Sequence, residues 1–124
     1  MGVEASEALA GGPGWARLSL VGDIDLNTAG EYRPFIQQMI EQRPQMAVVD
    51  LSGVTFMDSS GLGLVASLAR ACGESSGIVY VADASDIVRS TLEACGLDQY
   101  VVVVGSDDPR LAGLPPDPQS ASVK

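Results

Sequence analysis

Residues 46–63 read MAVVDLSGVTFMDSSGLG, and their opening run sets the architecture. MAVVDL is a nearly continuous apolar stretch of β-branched character, the pattern of a strand covered on both faces in a parallel or mixed sheet. A short loop follows. Beyond it, Leu62, Val65, Ala66, Ala69 and Cys72 fall at helical spacing with Ser67 and Arg70 opposite them. This predicts a helix with one core face, starting at Asp58, Ser59 or Ser60.

Upstream, Ala16, Leu18 and Leu20 alternate with Arg17 and Ser19, the two-residue period of a half-buried strand. Gly22 and Asp23 allow a turn, with Ile24 to Leu26 as a short second strand paired back like a hairpin. Thr28 followed by Glu31 reads as a capping box for a helix whose apolar stripe is Tyr32, Phe35, Ile36, Met39 and Ile40, and which stops before Pro44. Pro34 conflicts with that helix, because a proline past the first turn loses a backbone hydrogen bond. Either the regular helix starts later or it kinks.

Downstream, IVYVA at 78–82 is another strand, and Ser85 is the N-cap of a third helix carrying Ile87, Thr91, Leu92 and Cys95 and ending at Gly96. YVVVV at 100–104 is the last strand. Strands alternating with helices predict an α/β fold: one domain over residues 15–104, a mixed sheet of four or five strands with helices packed on it. Residues 1–14, rich in Gly, Ala and Glu, read as a flexible lead. Residues 105–124, with four prolines, read as a flexible tail holding at most a frayed turn.

With 124 residues the chain has room for one core of ordinary size. Its formal net charge of −9, from 16 acidic and 7 basic residues, removes the attraction that phosphate-backbone binding needs, so nucleic acid is not an expected partner. The apolar runs fall well short of the roughly 20 residues of a membrane span. Cys72 and Cys95 sit far apart in apolar stretches, as small core residues do, and form no metal-binding pair or disulfide framework. These features predict a cytoplasmic, reduced protein without membrane contact.

The chemistry concentrates between the central strand and the second helix. There the hydroxyls of Ser59 and Ser60 occupy a helix N-terminus, where unpaired N–H groups and a positive dipole end tolerate added negative charge. A phosphate at that point adds about −1.5 to −2 charge without having to disrupt the fold. For an isolated Asp-Ser-Ser-Gly tetrapeptide, helix capping is the commoner role. Gly61-Leu62-Gly63 lacks the lysine and spacing of a nucleotide-binding loop. Asp58 beside Ser59 does not make a hydrolase: the chain has no histidine and no lysine except Lys124, which leaves an activated serine without a proton acceptor of suitable pKa. Asp25, Asp50 and Asp58 do not read as a metal site, and no cofactor is expected.

The run VVDLSGVTFMDSSGLGLV resembles the signature segment of the bacterial anti-sigma factor antagonists within the STAS-domain family, and Gly22-Asp23-Ile24-Asp25 is similar to that family's Gly-Glu-x-Asp turn. Asp23 stands where glutamate is usual and keeps the charge. The resemblance spans residues 15–104 and implies a STAS-like fold. It also implies phosphorylation of Ser59, the serine directly after the aspartate, and contact of Asp25 with a partner kinase. The implied partner surface comprises Asp23, Asp25, Asp58, Ser59, Ser60, Gly61, Leu62, Gly63 and Leu64. Leu64, at the edge of the apolar stripe, reads either as a peripheral core contact or as part of that patch.

The resemblance further implies a non-enzymatic partner switch. The unphosphorylated protein captures an anti-sigma factor that is also a serine kinase of the GHKL ATPase type, freeing a sigma factor. Phosphorylation ends the capture, and a serine phosphatase of the metal-dependent PP2C type resets it. The alternative within the same fold is a scaffold component of a stressosome or an accessory subunit of a lipid-transport assembly, without a phosphoswitch.

Overall fold

The computed structural model describes residues 9–112. The apolar run at 46–51 opens β3 (Met46–Met57), which pairs in parallel with β2 (Trp15–Ile24) on one side and β4 (Ile78–Ala82) on the other. The short β5 (Val102–Val104) pairs in parallel with β4, and β1 (Leu9–Gly12) pairs antiparallel with β2 at the far edge. Among the described residues the sheet therefore has five strands in the order β1-β2-β3-β4-β5.

The parallel neighbours are joined by α1 (Leu26–Gln42), α2 (Ser59–Glu74) and α3 (Asp86–Ala94). Each crossover steps one strand in the same direction, and right-handed crossovers of that kind put every helix on one face. The core lies between that face and the helices: Leu18, Leu20, Val49, Leu51 and Val81 from the strands meet Ile36, Met39, Leu68 and Leu92, all essentially inaccessible. On the opposite face Val48, Tyr80, Ala82 and Val104 form a second cluster, covered by Leu111 from a short 3₁₀ turn, Pro109–Leu111. Arg110 from the same turn holds its guanidinium 5.8 Å from the centre of the Tyr80 ring. β3 is thus buried on both sides, as its composition requires.

Several expectations change. Order begins before Trp15: Leu9–Gly12, inside the segment read as a lead, is an edge strand held by its backbone ladder and so invisible to a search for side-chain periodicity. The antiparallel component comes from this strand. Gly22 does not turn the chain. It adopts φ 78° within a bulged stretch of β2, and the strand continues to Ile24 in register with Met57. The bulge is fixed from above, where the Val21 N–H donates to the buried Tyr32 hydroxyl at 3.1 Å.

The first helix starts earlier than Thr28. Asp25 is its N-cap and Thr28 the answering residue, so Glu31 plays no part in the box. The helix runs through Pro34, with the exposed Gly30 four residues earlier, where the proline ring presses. In α3 it is Val88 and Leu92 that face the core, while Ile87 and Cys95 are exposed. The Ser85 side chain caps α3 as expected, accepting the Val88 N–H at 3.2 Å. Residues 105–111 are not a bare tail, since Leu111 closes the second cluster. Residues 1–8 of the expected lead and 113–124 of the expected tail lie outside the described residues.

The second cluster gives a direct test. Leu111→Ala should lower the unfolding free energy by about 2 kcal/mol, the low end for a leucine at a cluster's edge. Urea melts of the full chain measure this, and an unchanged midpoint would mean that the turn adds nothing to the fold.

Candidate functional site

At the carboxyl end of the parallel sheet, β2 and β3 run on past the last β3–β4 pair, Asp50 with Ala82, as a two-stranded extension. The ends of this extension launch α1 and α2. Asp58 follows β3 directly, and its backbone N–H donates to the Ile24 carbonyl at 3.1 Å, so the two helix starts are joined by one hydrogen bond. Asp25 and Ser59 each stand one residue from that bond.

Each helix start is capped by an aspartate. The Asp25 Oδ1 accepts the N–H groups of Asn27 (3.0 Å) and Thr28 (3.1 Å), while Thr28 Oγ1 accepts the Asp25 N–H (2.8 Å) and donates to the Asp23 carbonyl (2.8 Å). The backbone N–H and the hydroxyl of Thr28 hold the Asp25 carboxyl below its ordinary pKa. Asp58 Oδ1 accepts the Ser60 N–H at 2.8 Å, which caps α2 and makes Ser59 its first residue. The Asp23 carboxylate accepts the Thr55 hydroxyl at 2.6 Å across the extension.

The hydroxyl of Ser59 is exposed and makes no hydrogen bond among the described residues. A group on that oxygen would meet solvent on one side and the helix N-terminus on the other, the combination in which an anion is best tolerated. Asp23, Asp25, Asp58 and Ser59 share this end of the molecule. Ser60 beside them is half-buried, Leu62 is half-buried and packed on the core, and Gly63 is exposed with open space around it.

Two residues of the implied partner surface are buried, and for Leu64 this is the core alternative of its two readings. Leu64 is 1% exposed and belongs to the core with Leu68, because α2 packs on α1 as well as on the sheet and its apolar arc is correspondingly wide. Gly61 is buried too. A Cβ there would lie 2.5 Å from the Met57 Cγ and 2.8 Å from the Ile24 Cγ2, so this glycine lets α2 seat on the strand ends.

The residues that sequence reasoning missed are apolar. Phe56 (48% exposed) sits opposite Asp23 in the β2–β3 register, Leu26 (72% exposed) follows Asp25, and Val21 is exposed at the bulge. Exposed apolar surface therefore lies beside the acidic residues at this end of the sheet. The signal was present in the pattern Val54-Thr55-Phe56-Met57, where two-residue alternation fails because the register shifts and Phe56 turns outward while Met57 turns in.

A helical layer on one face of a mostly parallel sheet has counterparts among known proteins. The chain belongs to the STAS-domain family: a family model described as Mlab, STAS domain matches residues 8–105. A relative from Mycobacterium tuberculosis, named anti-sigma-F factor antagonist RsfB, is 36% identical over 101 residues, covering 82% of each chain. Among solved structures, an anti-sigma factor antagonist from Mycobacterium paratuberculosis superposes with a TM-score of 0.69 at 27% identity, covering 77% of this chain and 81% of that one. The anti-sigma factor antagonist SpoIIAA in its unphosphorylated form gives 0.67 at 25% identity, covering 77% and 84%.

Two outcomes test this geometry. Gly61→Ala should destabilise the fold by about 1–3 kcal/mol through overpacking, whereas Gly63→Ala should be neutral or stabilise by up to about 1 kcal/mol, as at an open helix position. Denaturant melts separate the two, and equal effects would contradict the seating of α2. The second concerns acid. Because the folded-state pKa of Asp25 is depressed, its cap stabilises the protein above the unfolded carboxyl pKa, and that contribution is lost as pH falls through the lower folded value. Asp25→Asn should therefore flatten the acid limb of the stability curve, and a limb identical to wild type would rule the cap out as a contributor.

Proposed function

We propose that this protein is an anti-sigma factor antagonist that acts by binding and is switched by phosphorylation of Ser59. The observation that carries the reading is the free hydroxyl of Ser59 on the first residue of α2, joined through the Asp58 to Ile24 hydrogen bond to the Asp25 cap. The names of the relatives support the same class of partner.

In this reading the unphosphorylated surface docks an anti-sigma factor that is also a serine kinase of the GHKL type, and so releases a sigma factor. The acidic residues Asp23, Asp25 and Asp58 call for a basic rim on the kinase, and Phe56, Leu26 and Val21 call for an apolar centre. Phosphate on Ser59 adds a dianion beside the Asp58 carboxylate. Within the fold the helix N-terminus compensates that charge, but an interface packed on it leaves it desolvated and repelled. Binding is lost while the fold stays. A PP2C-type serine phosphatase restores the hydroxyl. A cytoplasmic setting goes with such partners, and no helix among the described residues is long and apolar enough to cross a membrane.

Titration calorimetry against the cognate kinase with ADP tests the switch. Burying an uncompensated charge costs several kcal/mol, so phosphorylated protein and Ser59→Asp should bind at least ~100-fold more weakly than wild type. Ser59→Ala should bind normally but accept no phosphate, and all forms should melt like wild type. Equal affinity of the phosphorylated and unphosphorylated forms would defeat the proposal. In the same titration Phe56→Ala should weaken binding by at least ~tenfold, as expected of a central aromatic anchor.

A further inference from the structure

A second feature of α2 lies away from the Ser59 surface. Ala66 and Ala69, three residues apart on one side of the helix, leave a gap between α2 and the 3₁₀ turn Leu97–Gln99. Leu97 lines the far wall and Tyr100 the rim, and the resulting cleft has a volume of about 280 Å³ with an almost wholly apolar lining. Arg70, the residue after Ala69, stands at its edge. Its guanidinium is exposed and takes part in no hydrogen bond or ion pair among the described residues.

We propose that this cleft binds a small anionic amphiphile, its chain lying against Ala66, Ala69 and Leu97 under Tyr100 and its carboxylate on Arg70. Four observations select that occupant. The volume is near the lower end of small-molecule sites, roughly 300–1,000 Å³, which suits a short acyl chain and is too small for the face of a partner helix. The lining offers an apolar chain almost nothing to desolvate. The single cation at the rim supplies charge complementarity in a protein whose net charge of −9 otherwise repels anions. Tyr100, 72% exposed, presents an aromatic surface that a bound chain would take out of water. Ala66 lies seven residues after Ser59, about 10 Å along the helix axis, so the cleft lining does not include the Ser59 surface.

Decanoate, kept below its micelle-forming concentration, is the probe, with decanol as its uncharged counterpart, and binding to the full chain is followed by two-dimensional NMR. Decanoate should give saturable shifts at Ala66, Ala69, Leu97 and Tyr100 and bind more tightly than decanol. Arg70→Gln should weaken decanoate about fivefold, the upper range for an exposed ion pair, and leave decanol unchanged. Ala69→Leu, which fills the cleft, should abolish both, with Ala66→Leu as the second filling variant if the first does not fold. Absence of saturable shifts, shifts centred elsewhere, full binding by a folded cleft-filling variant, or equal affinity for decanoate and decanol would each overturn the proposal.

Discussion

The parallel ladder between β2 and β3 is the interaction on which the other parts depend. It runs from the pair Trp15 and Met46 to the pair Ile24 and Met57, absorbing two register shifts on the way. Parallel pairing forces a crossover, the crossover is α1, and its handedness assigns the helices to one face. Because the ladder outlasts the pairing of β3 with β4, it also carries two helix starts out beyond the body of the sheet and sets them side by side. The caps of α1 and α2 are therefore neighbours by backbone geometry, before any side chain is considered.

What the sequence made legible follows from the strength of each local signal. The MAVVDL run admits little besides a doubly covered strand, and Val48 and Val49, on opposite faces, are both buried. The Ser85 cap and the start of α2 were legible because a short polar side chain before an apolar helical stripe has one economical use. The first helix was harder. Asp25-x-x-Thr28 and Thr28-x-x-Glu31 are overlapping capping patterns, and the choice between them rests on where β2 ends, a matter settled by pairing with β3 and by the bulge at Gly22. Leu9–Gly12 and Leu111 escaped for different reasons: the first is held by its backbone ladder to the adjacent Trp15–Leu18, which leaves no side-chain period, and the second by a buried cluster on the far face whose other members are distant in sequence.

At the site, the start of α2 could be read from the residues themselves, while Asp25 came only from the family resemblance, the capping box having been read at Thr28. Asp25 and Asp58 occupy N-cap positions, where type and place are tightly coupled, and Ser59 is the first helical residue after one of them. The burial of Leu64 and the exposure of Phe56 were not decided by the sequence, because burial depends on what packs from outside the element. α2 meets α1 as well as the sheet, which draws Leu64 inward, while nothing among the described elements covers the outer side of Phe56.

The seating of Gly61 bears on how far a change at the start of α2 can travel. With the backbone at Gly61 already against Met57 and Ile24, the helix has no free space into which its first turn could retreat. Two strand ends and one helix end are locked as a rigid corner, and the cost of moving any of them is the cost of unpacking the core. Such a corner is a poor transmitter and a good display. Chemistry at its tip alters what the surface presents to an approaching molecule and leaves the shape behind it alone, so the meaning of the change resides in the reader's fit to that tip.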